Sequence, residues 1–247
     1  IQTVMDVVEL DSGDLILAQG QRKGLVKIIW DTEALDTNFA DTDGAGGNAP
    51  NIRFRGLTSD PNCGGKNSVL KSNPSSLGIA KIGDGDITND IIYANDSTGK
   101  KIVAIDVDGN CVDVINFTQQ IRALTVRTFE KDSIKYDHLI AVGKSTIYSK
   151  NLTTGISKNC GTGGDIGHRI KGTTSIALDG ADETPGFLYI VQAGHIYRYK
   201  VETGDSDTNY CPKTSRNHLF KHHNTHSNKH RYAQAIEMDT DSDSIIY

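Results

Sequence analysis

The apolar positions between residues 174 and 204 fall into three short runs, 174–178, 187–192 and 195–201, each β-branched or aromatic and separated by Asp- and Gly-rich residues. Runs of that length with that punctuation predict strands joined by turns. The same phrase recurs at 4–10, 15–19 and 25–30, at 77–82, 91–95 and 101–107, and at 121–126, 139–143 and 146–150. It begins again at 232–238 and 245–247. Nowhere do apolar residues hold the spacing of three, four and seven that a capped amphipathic helix needs. The chain is therefore expected to be all-β.

The cysteines mark the period of the phrase. Cys63, Cys111, Cys160 and Cys211 stand 48, 49 and 51 residues apart, and the first three each follow an asparagine, Asn62, Asn110 and Asn159. A period of about 48 residues with about four strands per repeat is that of a β-propeller, built from four-stranded antiparallel blades. The fourth strand of each blade is expected after its cysteine, as at 112–117 and 217–221. The repeats then run approximately 1–76, with an Asp-, Gly- and Asn-rich insertion at 31–61, then 77–120, 121–173 and 174–231, with a truncated fifth at 232–247. All are read as one domain. Stacked blades bury both faces of each sheet, which suits the unbroken apolar stretch Leu139-Ile140-Ala141-Val142.

Two of these phrases carry a family resemblance. Ser175-Ile176-Ala177-Leu178-Asp179 with Leu188-Tyr189-Ile190-Val191 and His195-Ile196-Tyr197-Arg198-Tyr199 resembles the NHL-type repeat. So does Gly78-Ile79-Ala80 with Ile91-Ile92-Tyr93-Ala94-Asn95 and Ile102-Val103-Ala104-Ile105-Asp106. The resemblance implies a β-propeller, and such families usually close with about six blades. Four complete repeats and a truncated fifth are thus expected to form part of a larger ring.

Charge narrows the partners. With 26 Lys and Arg against 31 Asp and Glu, the formal charge is -5 and the pI about 5.9, and no basic stripe offsets the acidic side chains. Binding to a nucleic-acid backbone is not expected. No apolar run approaches the ~20 residues of a membrane helix, so no membrane span is expected. The chain begins at Ile1 and stops at Tyr247 inside an apolar run, which reads as a processed or partial product. Three acceptor triplets for N-linked glycans, at Asn95, Asn116 and Asn151, lie in or beside expected turns. Together with the four cysteines they point to an extracellular, secreted glycoprotein with disulfides.

The cysteines allow three pairings. Equivalent positions on neighbouring blades are expected to stand too far apart for a bridge, which needs Cα atoms within about 7 Å. The open readings are staples to a neighbouring blade or another chain, two ordinary structural disulfides, and free thiols; disulfides are favoured. A histidine-rich segment, with His218, His222, His223, His226 and His230, has spacing that suits Zn²⁺ capture or a pH switch. Its bland reading is a solvated cationic connection. Asp36, Asn38, Asp41 and Asp43 offer oxygen ligands for Ca²⁺ inside the insertion, without the downstream Glu of an EF-hand. Asp239, Asp241 and Asp243 look similar but occupy an expected hairpin turn. The Gly-rich runs at 44–47 and 161–164 lack the Gly-Lys-Ser/Thr of a phosphate loop and read as turns. Trp30, Tyr197 and Tyr199 suit sugar stacking, although aromatic residues in strands are more often core.

No catalytic signature emerges. The expected role is an extracellular structural or interaction module, a propeller scaffold with protein or glycan partners or a component of a self-assembling polymer. The alternatives are a glycan-binding lectin, using the loops at 19–24, 95–100 and 192–194 with the histidine segment, and a metal-dependent hydrolase of the lactonase or esterase kind. The latter resembles six-bladed propellers that hold their metal where inner strands enter the tunnel. Here those entries are Thr3-Val4, Ser76-Leu77, Ile121-Arg122, Thr174-Ser175 and Tyr232-Ala233, which supply no converging ligands.

Overall fold

The computed structural model describes residues 4–19, 24–36, 39, 79–82, 89–95, 100–131, 133–160, 173–181, 184–192, 195–203, 210–220, 237–238 and 245–246. Among them every regular element is a strand except one 3-10 turn. The chain forms two compact units, Ile1–Ile121 and Arg122–Tyr247.

The first unit holds two four-stranded antiparallel sheets. One joins β1 (Val4–Glu9), β2 (Leu15–Gln19), β3 (Gly24–Ile29) and β4 (Ala34–Leu35) in sequence order. The other joins β5 (Ile79–Ile82), β6 (Ile91–Asn95), β7 (Lys101–Ile105) and β8 (Cys111–Asn116), again in order. Strands β2, β6 and β7 are buried on both faces, which is why their sequences are continuously apolar instead of alternating. Leu10, Ile16, Ala18 and Leu25 of the first sheet interlock with Ile92, Ala94, Val103 and Ile105 of the second. Phe39 joins this core, 1% exposed.

Polar ties cross the same junction. The Asp11 backbone N–H donates to Oδ2 of buried Asp90 at 2.6 Å. Lys27 Nζ reaches the Val107 carbonyl at 3.5 Å, beside Asp14 at 3.5 Å and Asp36 at 3.8 Å. The turn between β7 and β8 is organised by Asp106, whose Oδ1 accepts from the backbone of Asp108 and Asn110 while Oδ2 accepts from the Asn110 carboxamide. Gly109 follows at φ 85°, a left-handed conformation in which a side chain would be strained. Asn110 before Cys111 is thus a turn residue.

The second unit holds the other two four-stranded sheets. Strands β9 (Ile121–Lys131), β10 (Ile134–Gly143), β11 (Ile147–Asn151) and β12 (Ser157–Asn159) form one. Strands β13 (Thr173–Ala181), β14 (Thr184–Gln192), β15 (His195–Thr203) and β16 (Tyr210–Phe220) form the next. A two-stranded sheet of β17 (Glu237–Met238) and β18 (Ile245–Ile246) completes the described elements. Ile140, Val142 and Ile147 pack against Ile176, Leu178, Leu188, Ile190, Tyr197 and Tyr199. The opposite face of the β13–β16 sheet buries Ala177, Tyr189, Val191 and Ile196. The period-2 alternation of β14, with Leu188 and Ile190 one way and Tyr189 and Val191 the other, distributes these side chains between two cores.

The structure corrects several sequence expectations. The fourth strand of the first sheet is Ala34–Leu35, inside the segment read as insertion and ahead of Cys63. Strand β12 likewise precedes Cys160 instead of following it. Strands β9 and β10 extend to Lys131 and back from Ile134, across polar residues 127–138 that carry no clear strand pattern. The strand expected at 52–54 lies outside the described residues.

Candidate functional site

The best-defined constellation of the second unit stands on the β13–β16 sheet. Tyr189 of β14 pairs with Ala177 of β13 on one side and Arg198 of β15 on the other, so all three side chains share one face. The Tyr189 hydroxyl donates to Asp179 Oδ2 at 3.4 Å, and Arg198 stands opposite it across the β14–β15 pair. The Arg198 guanidinium lies 4.4 Å from the centre of the Phe187 ring, within cation–π range. Burial, and next the Asp179 carboxylate, raise the Tyr189 hydroxyl above its ordinary pKa of 10.0. Tyr189 therefore stays protonated near neutrality, and the group acts as a fixed hydrogen-bonding array. Sequence reasoning placed Asp179 and Arg198 in the repeat phrase but gave them no role; their cross-strand register was the missing signal.

His138 is the second feature missed. It lies fully buried in β10, paired in register with Asn151 of β11. Desolvation lowers its pKa from 6.5 to about 4, so it is neutral at pH 7. A single histidine after Asp137, at the end of a mostly polar stretch, gives no sequence sign of such burial.

In the first unit the exposed feature is Trp30, the chain's one tryptophan, which is 61% exposed. It opens a short 3-10 turn (Trp30–Thr32) between β3 and β4. Asp14 Oδ1 accepts its backbone N–H at 3.1 Å, and Lys27 holds Asp14 in turn. Glu33 closes the turn in the left-handed region at φ 49°. The exposed indole thus stands on a braced backbone and is followed by exposed Asp31 and Glu33. Tyr197 and Tyr199, grouped with it from sequence as sugar-stacking residues, are instead core residues of the second unit, 7% and 1% exposed.

The sequence-derived site residues are placed as follows. Cys160 and Cys211 are bridged, with Cα atoms 5.3 Å apart. This corrects the expectation that equivalent cysteines of successive repeats stand too far apart: Cys160 directly follows β12, Cys211 lies in β16, and β11 and β16 touch. Cys111 is also disulfide-bonded, and Cys63 lies outside the described residues. Of the histidines, His218 sits in β16 with its backbone opposite Tyr197, while His222, His223, His226 and His230 lie outside the described residues. Asp36 approaches Lys27 at 3.8 Å; Asn38, Asp41 and Asp43 lie outside. Among the described residues no group of three His, Cys, Asp or Glu side chains converges as metal ligands. Nor, among them, is any helix long and apolar enough to cross a membrane.

The three glycan acceptors differ sharply. Asn95 is fully buried, and its Nδ2 donates to the Ile121 carbonyl at 2.8 Å. Asn151 is fully buried, and its Oδ1 accepts the Thr154 N–H at 2.9 Å to organise the turn after β11. Asn116 is exposed at the end of β8.

Four-stranded antiparallel sheets packed through both faces place this chain among propeller-type folds. No protein-family model matches it, and no curated protein does either. Among solved structures it resembles virginiamycin B lyase from Staphylococcus aureus, a propeller-type protein, at TM-score 0.50 and 10% identity over 98% of this chain and 61% of that one. It also resembles hydrazine synthase of Kuenenia stuttgartiensis at TM-score 0.51 and 8% identity, over 89% of this chain and 51% of that one. The chain therefore spans less than two thirds of either protein, and identities this low carry the fold alone.

Proposed function

We propose that the chain is an extracellular scaffold module, a propeller of the NHL-type repeat class with blades of about 48 residues, that holds loops rigidly for a protein or glycan partner. Its four-stranded sheets are read as successive blades. The observation that carries the extracellular reading is the Cys160–Cys211 bond between the edge regions of two successive sheets. Such bonds persist in oxidising compartments and are rare in reducing ones. The test is to alkylate native material from its natural source before reduction and to map the labelled peptides. Unlabelled Cys111, Cys160 and Cys211 are expected; labelling of all three would reject the reading.

A glycan-binding role is the second reading, supported by the braced and exposed Trp30. Because it is the chain's one tryptophan, its fluorescence reports on that surface alone. An oligosaccharide that binds there should shift the emission and lose its affinity in Trp30→Ala; a glycan array without signal would dismiss the idea. Zn²⁺ at the histidine segment and Ca²⁺ near Asp36 remain proposals, each answered by calorimetric titration of the intact chain with the metal.

A further inference from the structure

We propose that Asn116 is the single N-glycan acceptor of the folded chain and that Asn95 and Asn151, although they carry the same acceptor triplet, stay unmodified. The inference rests on the extracellular reading above. Its geometric part is independent of it. Modification joins Nδ2 of asparagine to the anomeric carbon of an oligosaccharide carried on a lipid pyrophosphate. The C–N bond forms, the C–O bond to pyrophosphate breaks, the amide releases one proton to solvent, and the lipid pyrophosphate leaves. The product keeps one N–H and a bulky polar substituent that needs water around it.

Asn95 cannot meet that need in the folded state. Its Nδ2 already donates to the Ile121 carbonyl at 2.8 Å in a fully buried site, and a sugar there would displace that carbonyl. Asn151 is equally buried, with Nδ2 enclosed and Oδ1 fixed on the Thr154 N–H. A sugar on it would displace the carboxamide that organises the turn, which closes with Gly155 at φ 76°. A chain modified at either position during synthesis would therefore fail to complete its fold.

Asn116 has the opposite setting. It ends β8, the outermost strand of its sheet among the described residues, in register with Lys101. Both Asn116 and Thr118, the hydroxyl residue of the triplet, are exposed. Between them the Phe117 N–H donates to the Lys100 carbonyl at 2.7 Å, which fixes the backbone while leaving the carboxamide outside. A glycan there would stand beside a strand edge whose unpaired groups otherwise invite pairing with another chain.

The test is expression of the whole chain through a eukaryotic secretory pathway. The folded, secreted fraction is then de-glycosylated enzymatically in heavy-oxygen water, which marks each released asparagine as labelled aspartate. The expected map shows label at Asn116 and none at Asn95 or Asn151. Thr118→Ala is expected to abolish the label. A folded, secreted chain with Asn116 unlabelled, or with label at Asn95 or Asn151, overturns the proposal. Failure of the extracellular reading shows separately, as free thiols in material from the natural source with the acceptor map of the secreted chain unchanged.

Discussion

Removing the bridge between Cys160 and Cys211 tests how the second unit is held. The perturbation is the double variant Cys160→Ala and Cys211→Ala, since either single change would leave a free thiol, and alanine puts no hydroxyl against the core on which Cys160 packs. The bond spans a sequence separation of 51 residues. Closing a loop of that size removes about 4 kcal/mol of conformational entropy from the unfolded chain at 25 °C. In a protein of this size 1 kcal/mol moves the melting midpoint by about 2–4 °C, so a fall of about 8–16 °C is expected. Equilibrium unfolding in urea gives the same quantity more directly. The midpoint should drop and the slope should rise, because the unlinked unfolded chain exposes more surface. A loss below about 1 kcal/mol with an unchanged slope would refute the argument, for it would mean that the staple restricts neither state. The variant retains the disulfide at Cys111, so the reading concerns the second unit alone.

Two further outcomes follow from burial. His138 has its pKa lowered to about 4 by desolvation, so between pH 6.5 and 4 the unfolded chain binds a proton that the folded chain does not. Its contribution is complete above pH 6.5 and falls as pH falls through that window, by at most about 3 kcal/mol. Urea midpoints of wild type and His138→Gln should converge on acidification, and parallel loss in both would reject the assignment. Phe39→Ala, in the segment whose composition reads as an insertion, should cost about 3–5 kcal/mol because the ring is buried in the first core; a wild-type midpoint would show that the ring is dispensable.

Legibility followed the physics of each signal. Strands β2 and β6 match the sequence expectation to the residue, since both are apolar runs bounded by turn residues. Strand β4, two residues long and exposed, is too short to show any period. The hairpin ends of β9 and β10 are polar, and their ladder is held by contacts such as Thr128 Oγ1 to Asp137 Oδ1 at 2.6 Å, which no hydropathy pattern encodes. The acceptor triplets were legible as words but not as sites. The Asn95 carboxamide makes a buried hydrogen bond, and the Asn151 carboxamide organises the turn after β11. The disulfide was half legible. The even spacing of the cysteines is visible, whereas the closeness of successive sheets at their edges exists only once the sheets stack. The Tyr189, Asp179 and Arg198 array depends on register across three strands, and register is set by packing that no single strand displays.

Each unit couples its successive sheets by more than apolar packing, and the devices differ. In the first unit the ties are hydrogen bonds, from the Asp11 N–H to Asp90 and from Lys27 to the Val107 carbonyl. In the second they are the covalent bridge and the Arg127 guanidinium on the Leu178 carbonyl at 3.1 Å. Both solutions fix sheet against sheet at positions where apolar contact alone would allow sliding, because a hydrophobic surface has no preferred register. A scaffold held in this way can vary its exposed positions at little structural cost. The exposed side chains of Trp30 and Asn116 take no part in these ties. That separation explains why a recognition surface and a sugar can be placed on this fold without being visible in the strand pattern that builds it.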